Sequence, residues 1–232
     1  ASTELLGTSE WGVRMPAVIF STIAAWALAL LARDIARVGR GAGEGDPGWR
    51  AAFFTVCVFN LVPLFQSTAG VILTIDMPYA AMWSLAAWLG WRALMGGSGR
   101  AWVGLGLAIA GGFLFKYTML LCVPGLVLFA VLARGSLRVR RPVGAWVGLA
   151  LLAASLGLLP VVIWNSQHDW STVRHLLGHL HMRGGDIAAT PGDAAVCIPR
   201  WTLEFLATQI GMVGPMLVLA AWEWIRSRRE RG

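Results

Sequence analysis

From Asp76 to Lys116 the chain reads DMPYAAMWSLAAWLGWRALMGGSGRAWVGLGLAIAGGFLFK, and the fold is decided there. Two apolar runs, Met77 to Trp91 and Ala101 to Phe115, flank a short polar turn from Arg92 to Arg100. Each run holds 15 residues. As α-helix at about 1.5 Å per residue that is about 22 Å, short of the roughly 30 Å of a bilayer's hydrocarbon core. The outer ends of such helices lie below the membrane surface. Asp76 is 16 residues from Arg92 and Lys116 is 16 residues from Arg100. An antiparallel hairpin therefore brings a carboxylate and an ammonium to matching depth.

The same apolar character extends in both directions. Val13 to Leu31, Ala51 to Ile75, Tyr117 to Ala133, Val143 to Trp164 and Leu203 to Ile225 are further candidate spans, making seven with the hairpin. Residues 165–200 are left as a long outer loop. The sequence predicts an all-α, polytopic membrane protein forming part of one transmembrane domain. Composition agrees: of 232 residues 57% are hydrophobic and 13% charged, with mean hydropathy +0.65. Soluble domains carry roughly twice that charge, so a soluble enzyme is excluded. Thirteen Trp and nine Phe exclude disorder, and 28 Gly without a period exclude a collagen-like repeat. Cys57, Cys122 and Cys197 are too few for a disulfide scaffold. No signal peptide is visible before the first run, and the sequence reads as an internal fragment.

The net charge of +7 and pI near 10.6 would suggest a nucleic-acid partner in a soluble chain, but the seven-span arrangement accounts for them. Fourteen of the 19 Lys and Arg fall on the side that holds Arg33, Arg92, Arg134 and Arg226, as the positive-inside rule requires of the cytoplasmic face. Trp49, Trp91, Trp102 and Trp146 mark the inner boundary and Trp11, Trp164, Trp170 and Trp201 the outer one.

Asp76 and Lys116 are the leading site candidates, because charges at membrane depth are costly and mark function by default. The plainer alternative is a structural ion pair, or two headgroup-level charges. Irregular backbone at that depth needs a cavity or protein around it, and a cavity open to the outer face is expected. Gly104, Ala108 and Gly112 form a small-residue stripe that lets a helix approach closely. Asn60, Gln66 and Gln209 read as interhelical hydrogen-bonding groups, and Glu204 as the start of the last helix. In the outer loop, Trp170 to Arg183 reads as an interfacial amphipathic helix with Val173, Leu176, Leu177 and Leu180 on one face, followed by a mobile stretch to Pro199. His175 and His179, near His181 and Asp169, offer only a weak metal pattern because the pair lacks the Glu of a zinc helix. No nucleophile elbow and no P-loop is present.

Several motifs together carry a family resemblance. They are Thr8-Ser9-Glu10-Trp11-Gly12-Val13-Arg14-Met15-Pro16, Thr74-Ile75-Asp76-Met77-Pro78, Phe115-Lys116-Tyr117-Thr118, Trp164-Asn165-Ser166-Gln167-His168-Asp169-Trp170, and Leu203-Glu204-Phe205-Leu206 with Gln209 and Gly214-Pro215. In this order they resemble bacterial family 39 glycosyltransferases, the group of protein O-mannosyltransferases and lipid A aminoarabinose transferases with the GT-C fold. The resemblance implies a transferase that moves a monosaccharide from a polyprenyl-phosphate donor to a lipid, glycan or protein acceptor at the outer face of the bacterial inner membrane, with inversion at the anomeric carbon. It implies a catalytic role for Asp76 and donor-phosphate contacts for Lys116, Arg14 and Tyr117. Asn165, Gln167 and His168 would bind sugar or acceptor, or simply form a turn. A divalent metal held by the carboxylate is an alternative to its acting as a base. The first span and first outer loop of such enzymes, with their acidic residue, are expected upstream of Ala1. A transporter with Asp76 and Lys116 on its substrate or proton path is the competing class, and a scaffold without a site the third.

Overall fold

The computed structural model of the chain describes residues 4, 7–38, 47–62, 75–179, 182–186, 202–208, 222 and 225. Parts of the 51–75 and 203–225 runs, Gln66, Gln209, His181, Cys197, Arg200 and most of the 184–199 stretch lie outside them. Every regular element among the described residues is helical. The elements are α1 (Glu10–Ala36), α2 (Pro47–Leu61), α3 (Asp76–Leu94), α4 (Gly99–Phe115), a 3-10 turn (Tyr117–Leu121), α5 (Cys122–Leu132), a second 3-10 turn (Arg134–Ser136), α6 (Val143–Ser155), α7 (Leu158–Gln167) and α8 (Ser171–His179). Two stretches, Glu10–Ala36 and Val143–Gln167, are long and apolar enough to cross a membrane; Gly99–Phe115 and Tyr117–Leu132 are shorter apolar helices.

Local sequence explains the boundaries. Ser9 caps α1 by accepting the Gly12 N–H at 3.2 Å, and Glu10 in the first turn suits the positive end of the helix dipole. A proline ring clashes with the carbonyl four residues earlier. Pro124 thus disfavours α-helix through Leu120, where the chain winds as 3-10 helix. Pro160 does the same at Leu156, where α6 gives way to α7.

The chain forms two units, Ala1–Asp169 and Trp170–Gly232. In the first, α3 packs against α1 and α4, α1 also against α2, and α4 also against α6. Small residues let these helices approach: Ala86, Ala93, Ala101 and Ala108 are buried in the larger core, and Ala24 and Ala81 join Phe59 and Met77 in the other. On the expected stripe, a Cβ on Gly104 would meet Leu89 at 3.2 Å and one on Gly112 would meet Met119 at 2.6 Å. The tightest approach lies on another face. A Cβ on Gly106 would overlap the Ala150 carbonyl, and one on Gly157 would sit 2.6 Å from the Ala110 carbonyl. In the second unit, residues 182–186 fold back on α8, where Met182 N–H donates to Leu177 O and Asp186 N–H to Arg174 O. His175 Nδ1 lies 3.2 Å from Asp186 Oδ2. The side chain of His179 is outside the described residues.

Candidate functional site

Asp76 is the first residue of α3, and Lys116 follows the last residue of α4. The hairpin brings them together: Lys116 Nζ donates to Asp76 Oδ1 at 2.9 Å. Lys116 departs from helical geometry, with φ −155° and ψ 122°. Its N–H still donates to Gly112 O at 2.9 Å, and its carbonyl accepts the Met119 N–H at 3.0 Å. This extended residue is held at both ends by the flanking turns. Asp76 lies at the N-terminus of α3, where the helix dipole favours a negative charge.

Tyr79, three residues along α3 and so on the same face as Asp76, completes the cluster. Lys116 Nζ sits 5.8 Å from the centre of its ring, within reach of the ring's negative face. Tyr79 in turn leans on Trp83, ring centres 5.7 Å apart. Nothing about Tyr79 marked it in the sequence, although its spacing from Asp76 was available as a signal. Phe20 of α1 meets Phe115 edge-on at 5.5 Å, which closes one flank beside Lys116. Lys116 stands between two helices rather than inside either, and its side chain donates to the carboxylate across the gap.

Both charged side chains keep about half their surface, 47% for Asp76 and 41% for Lys116. An incoming molecule can therefore reach them. A groove of about 400 Å³ begins at Phe113 and Leu120, on either side of Lys116 in the chain, and continues along α4, α5 and α6 to Leu94 and Trp102. Its walls are almost entirely apolar side chains, which suits a hydrocarbon chain.

The other candidates divide. Tyr117 is half exposed beside Lys116 in the chain. The ion partner of Arg14 is Glu10, at 3.6 Å and one helical turn away, so the structure does not couple it to the Asp76 and Lys116 pair. Asn165 is buried, and its amide donates to Val161 O at 2.8 Å within α7. His168 ends that helix: its Nδ1 is 2.8 Å from Trp164 O and its ring stacks on Trp164 at 4.3 Å. The turn continues with Asp169 and Trp170 at positive φ, 52° and 55°. Two of the three residues thus build a helix end, and Gln167 is exposed at it. The neighbour of Asp76 is an ammonium, and no group of three or more His, Cys, Asp or Glu gathers among the described residues. That donor set does not fit a divalent metal.

Comparison with known proteins relates the chain to a family and to a characterised relative. The family model described as dolichyl-phosphate-mannose-protein mannosyltransferase matches residues 1–164. The chain is also similar to the lipid A galacturonosyltransferase RgtD of Rhizobium johnstonii, 30% identical over 239 residues. That alignment takes in all of this chain and 44% of the relative, so the chain spans less than half of the relative's length. No solved structure matches it.

Proposed function

This chain belongs to the dolichyl-phosphate-mannose-protein mannosyltransferase family, and from that premise we propose that it moves one monosaccharide from a polyprenyl-phosphate donor to an acceptor at the outer face of the bacterial inner membrane. The observation that carries the reading is the 2.9 Å contact between Lys116 and Asp76, with about half of each side chain accessible; an apolar groove is lined by Phe113 and Leu120, three and four residues from Lys116 in the chain. In this reading the chain crosses the membrane seven times and the donor's tail lies in the groove.

The donor phosphate takes the Lys116 ammonium from Asp76, and the sugar comes to lie between the phosphate and the freed carboxylate. Tyr117 lies beside Lys116 in the chain, and Arg14, released from Glu10, adds a second cation from α1. The acceptor hydroxyl then attacks the anomeric carbon from the face opposite the phosphate. Its proton passes to the Asp76 carboxylate, a bond forms between acceptor oxygen and carbon, and the carbon–phosphate oxygen bond breaks. The departing polyprenyl phosphate keeps the bonding electrons, and Lys116 stabilises the charge that develops on it. Inversion at the sugar follows from the single displacement. Gln167 and His168, with Asn165 behind them, belong to the sugar or acceptor side. Galacturonic acid and lipid A, in the name of the relative, are the first sugar and acceptor to try.

The test is transfer by the purified, reconstituted protein from a polyprenyl-phosphate-linked sugar. Asp76→Asn and Lys116→Ala should each lower the rate by about a hundredfold or more, with an unchanged helical circular dichroism spectrum. Solute flux without transfer, or full activity in both variants, contradicts the assignment.

A further inference from the structure

At the opposite end of α3 the molecule has a second polar feature. Arg92 lies 16 residues beyond Asp76 on this helix, about 24 Å away at about 1.5 Å per residue. There an open cavity of about 870 Å³ is bounded by the ends of α1 and α3 and by the loop around the Arg134–Ser136 turn. Three guanidinium-bearing residues line it, Arg37, Arg92 and Arg138, with Asp34 the acidic residue of its wall.

Asp34 is already engaged through both oxygens. Arg33 donates to Oδ1 from Nε and Nη2 at 3.1 and 2.9 Å, and the Trp88 indole N–H donates to Oδ2 at 3.0 Å. The pair is largely buried, with 19% and 18% of its side-chain surface exposed. Its charge is matched by Arg33, so it does not offset Arg92 or Arg138. The Arg92 guanidinium lies 5.5 Å from the Trp88 ring; such stacking uses the face of the group and leaves its N–H edge for a ligand. Arg138 is brought in by its backbone, whose N–H donates to Leu94 O at 2.8 Å. Gly97, at φ 62°, makes room for it, since a Cβ there would be 2.7 Å from the Arg138 carbonyl oxygen.

Arginines at helix C-termini commonly just offset the dipole. Here the carbonyls of Trp91, Arg92 and Leu94 accept from the backbone N–H groups of Met95, Ser98 and Arg138. Arg92 and Arg138 are therefore not needed to cap α3. Planar guanidiniums around a polar hollow match the oxygens of a phosphate.

We propose that this cavity is a phosphate-binding site, on the membrane face opposite the Asp76 and Lys116 pair. Two sources present that chemistry at such a place: the headgroup of an anionic glycerophospholipid in the adjoining leaflet, and soluble phosphate. The inference does not depend on glycosyl transfer.

The test is isothermal titration of the purified full chain in detergent with short-chain phosphatidylglycerol and, separately, with inorganic phosphate. Arg92→Gln/Arg138→Gln is compared with the unsubstituted protein, and Arg138→Gln alone, an exposed loop substitution, serves if the double variant does not fold. Saturable phosphatidylglycerol binding, weakened about tenfold or more in the variant, supports the site with the lipid as its source. Saturable phosphate binding with the same loss supports it with a soluble anion. Binding of neither probe, or binding that the variants leave unchanged, overturns it.

Discussion

Asp76 and Lys116 lie 2.9 Å apart with about half of each side chain accessible. An ion pair at that exposure is worth only about 0–1 kcal/mol to stability, whereas a charge placed against a departing phosphate is worth several. The difference in size separates a structural pair from a catalytic one. Tyr79 tests the surroundings: its ring faces the ammonium at 5.8 Å, a contact of about 0.5–1 kcal/mol. Tyr79→Leu should raise the KM for the lipid-linked donor about two- to fivefold, and Tyr79→Phe should leave it near its original value. Equal effects of the two variants in donor-saturation kinetics would mean that the ring does not act on Lys116. The pairing was legible because an α-helix has a fixed rise, so equal counts from one turn give equal heights. The contribution of Tyr79 was hidden in a run of aromatic and apolar residues where nothing singles it out.

Among the elements, α4 is the one whose neighbours fix the site, since its end sets the position of Lys116. Gly106 and Gly157 hold α4 against α6 and the α6–α7 junction with no room for a Cβ. Gly106→Ala should lower stability by about 1–3 kcal/mol. Gly148→Ala, where nothing lies within 4 Å, should not. Thermal unfolding in detergent distinguishes the two, and equal midpoints would refute the close approach. The same logic applies to the end of α7: His168→Ala removes the stack on Trp164 and the contact with its carbonyl, and faster amide exchange confined to residues 164–168 is expected. The sequence showed the Gly104, Ala108 and Gly112 stripe because its spacing is regular. It could not show Gly106 or Gly157 as contacts, because their partners, Ala150 and Ala110, are far away in sequence. Pro124 and Pro160 were readable as breaks once the clash with the carbonyl four residues earlier is considered.

For the whole molecule, α3 separates two proposed sites of different character, with Asp76 at one end and the arginine-lined cavity at the other. In the proposed orientation the Arg-rich side, which holds Arg92, faces the cytoplasm. In a background without the native thiols of Cys57, Cys122 and Cys197, Ile75→Cys should react with an impermeant maleimide only from outside the cell, and Ser136→Cys only in inverted vesicles. Labelling from the reverse sides would invert the orientation. Helical class was readable from apolar run length, a local property. The arginine cavity was not, because it depends on the Arg138 backbone finding Leu94, a contact between segments 44 residues apart.

An exchange of charges tests most directly whether Asp76 and Lys116 act on substrate. Asp76→Lys/Lys116→Asp restores an ion pair between α3 and α4 but puts each charge where the other one worked. The account predicts an unfolding midpoint closer to the unsubstituted protein than that of either single variant, with transfer from the polyprenyl-phosphate donor still reduced about a hundredfold or more. Recovery of the original transfer rate by the exchanged protein would contradict it, since the two groups would then serve only to hold the helices together.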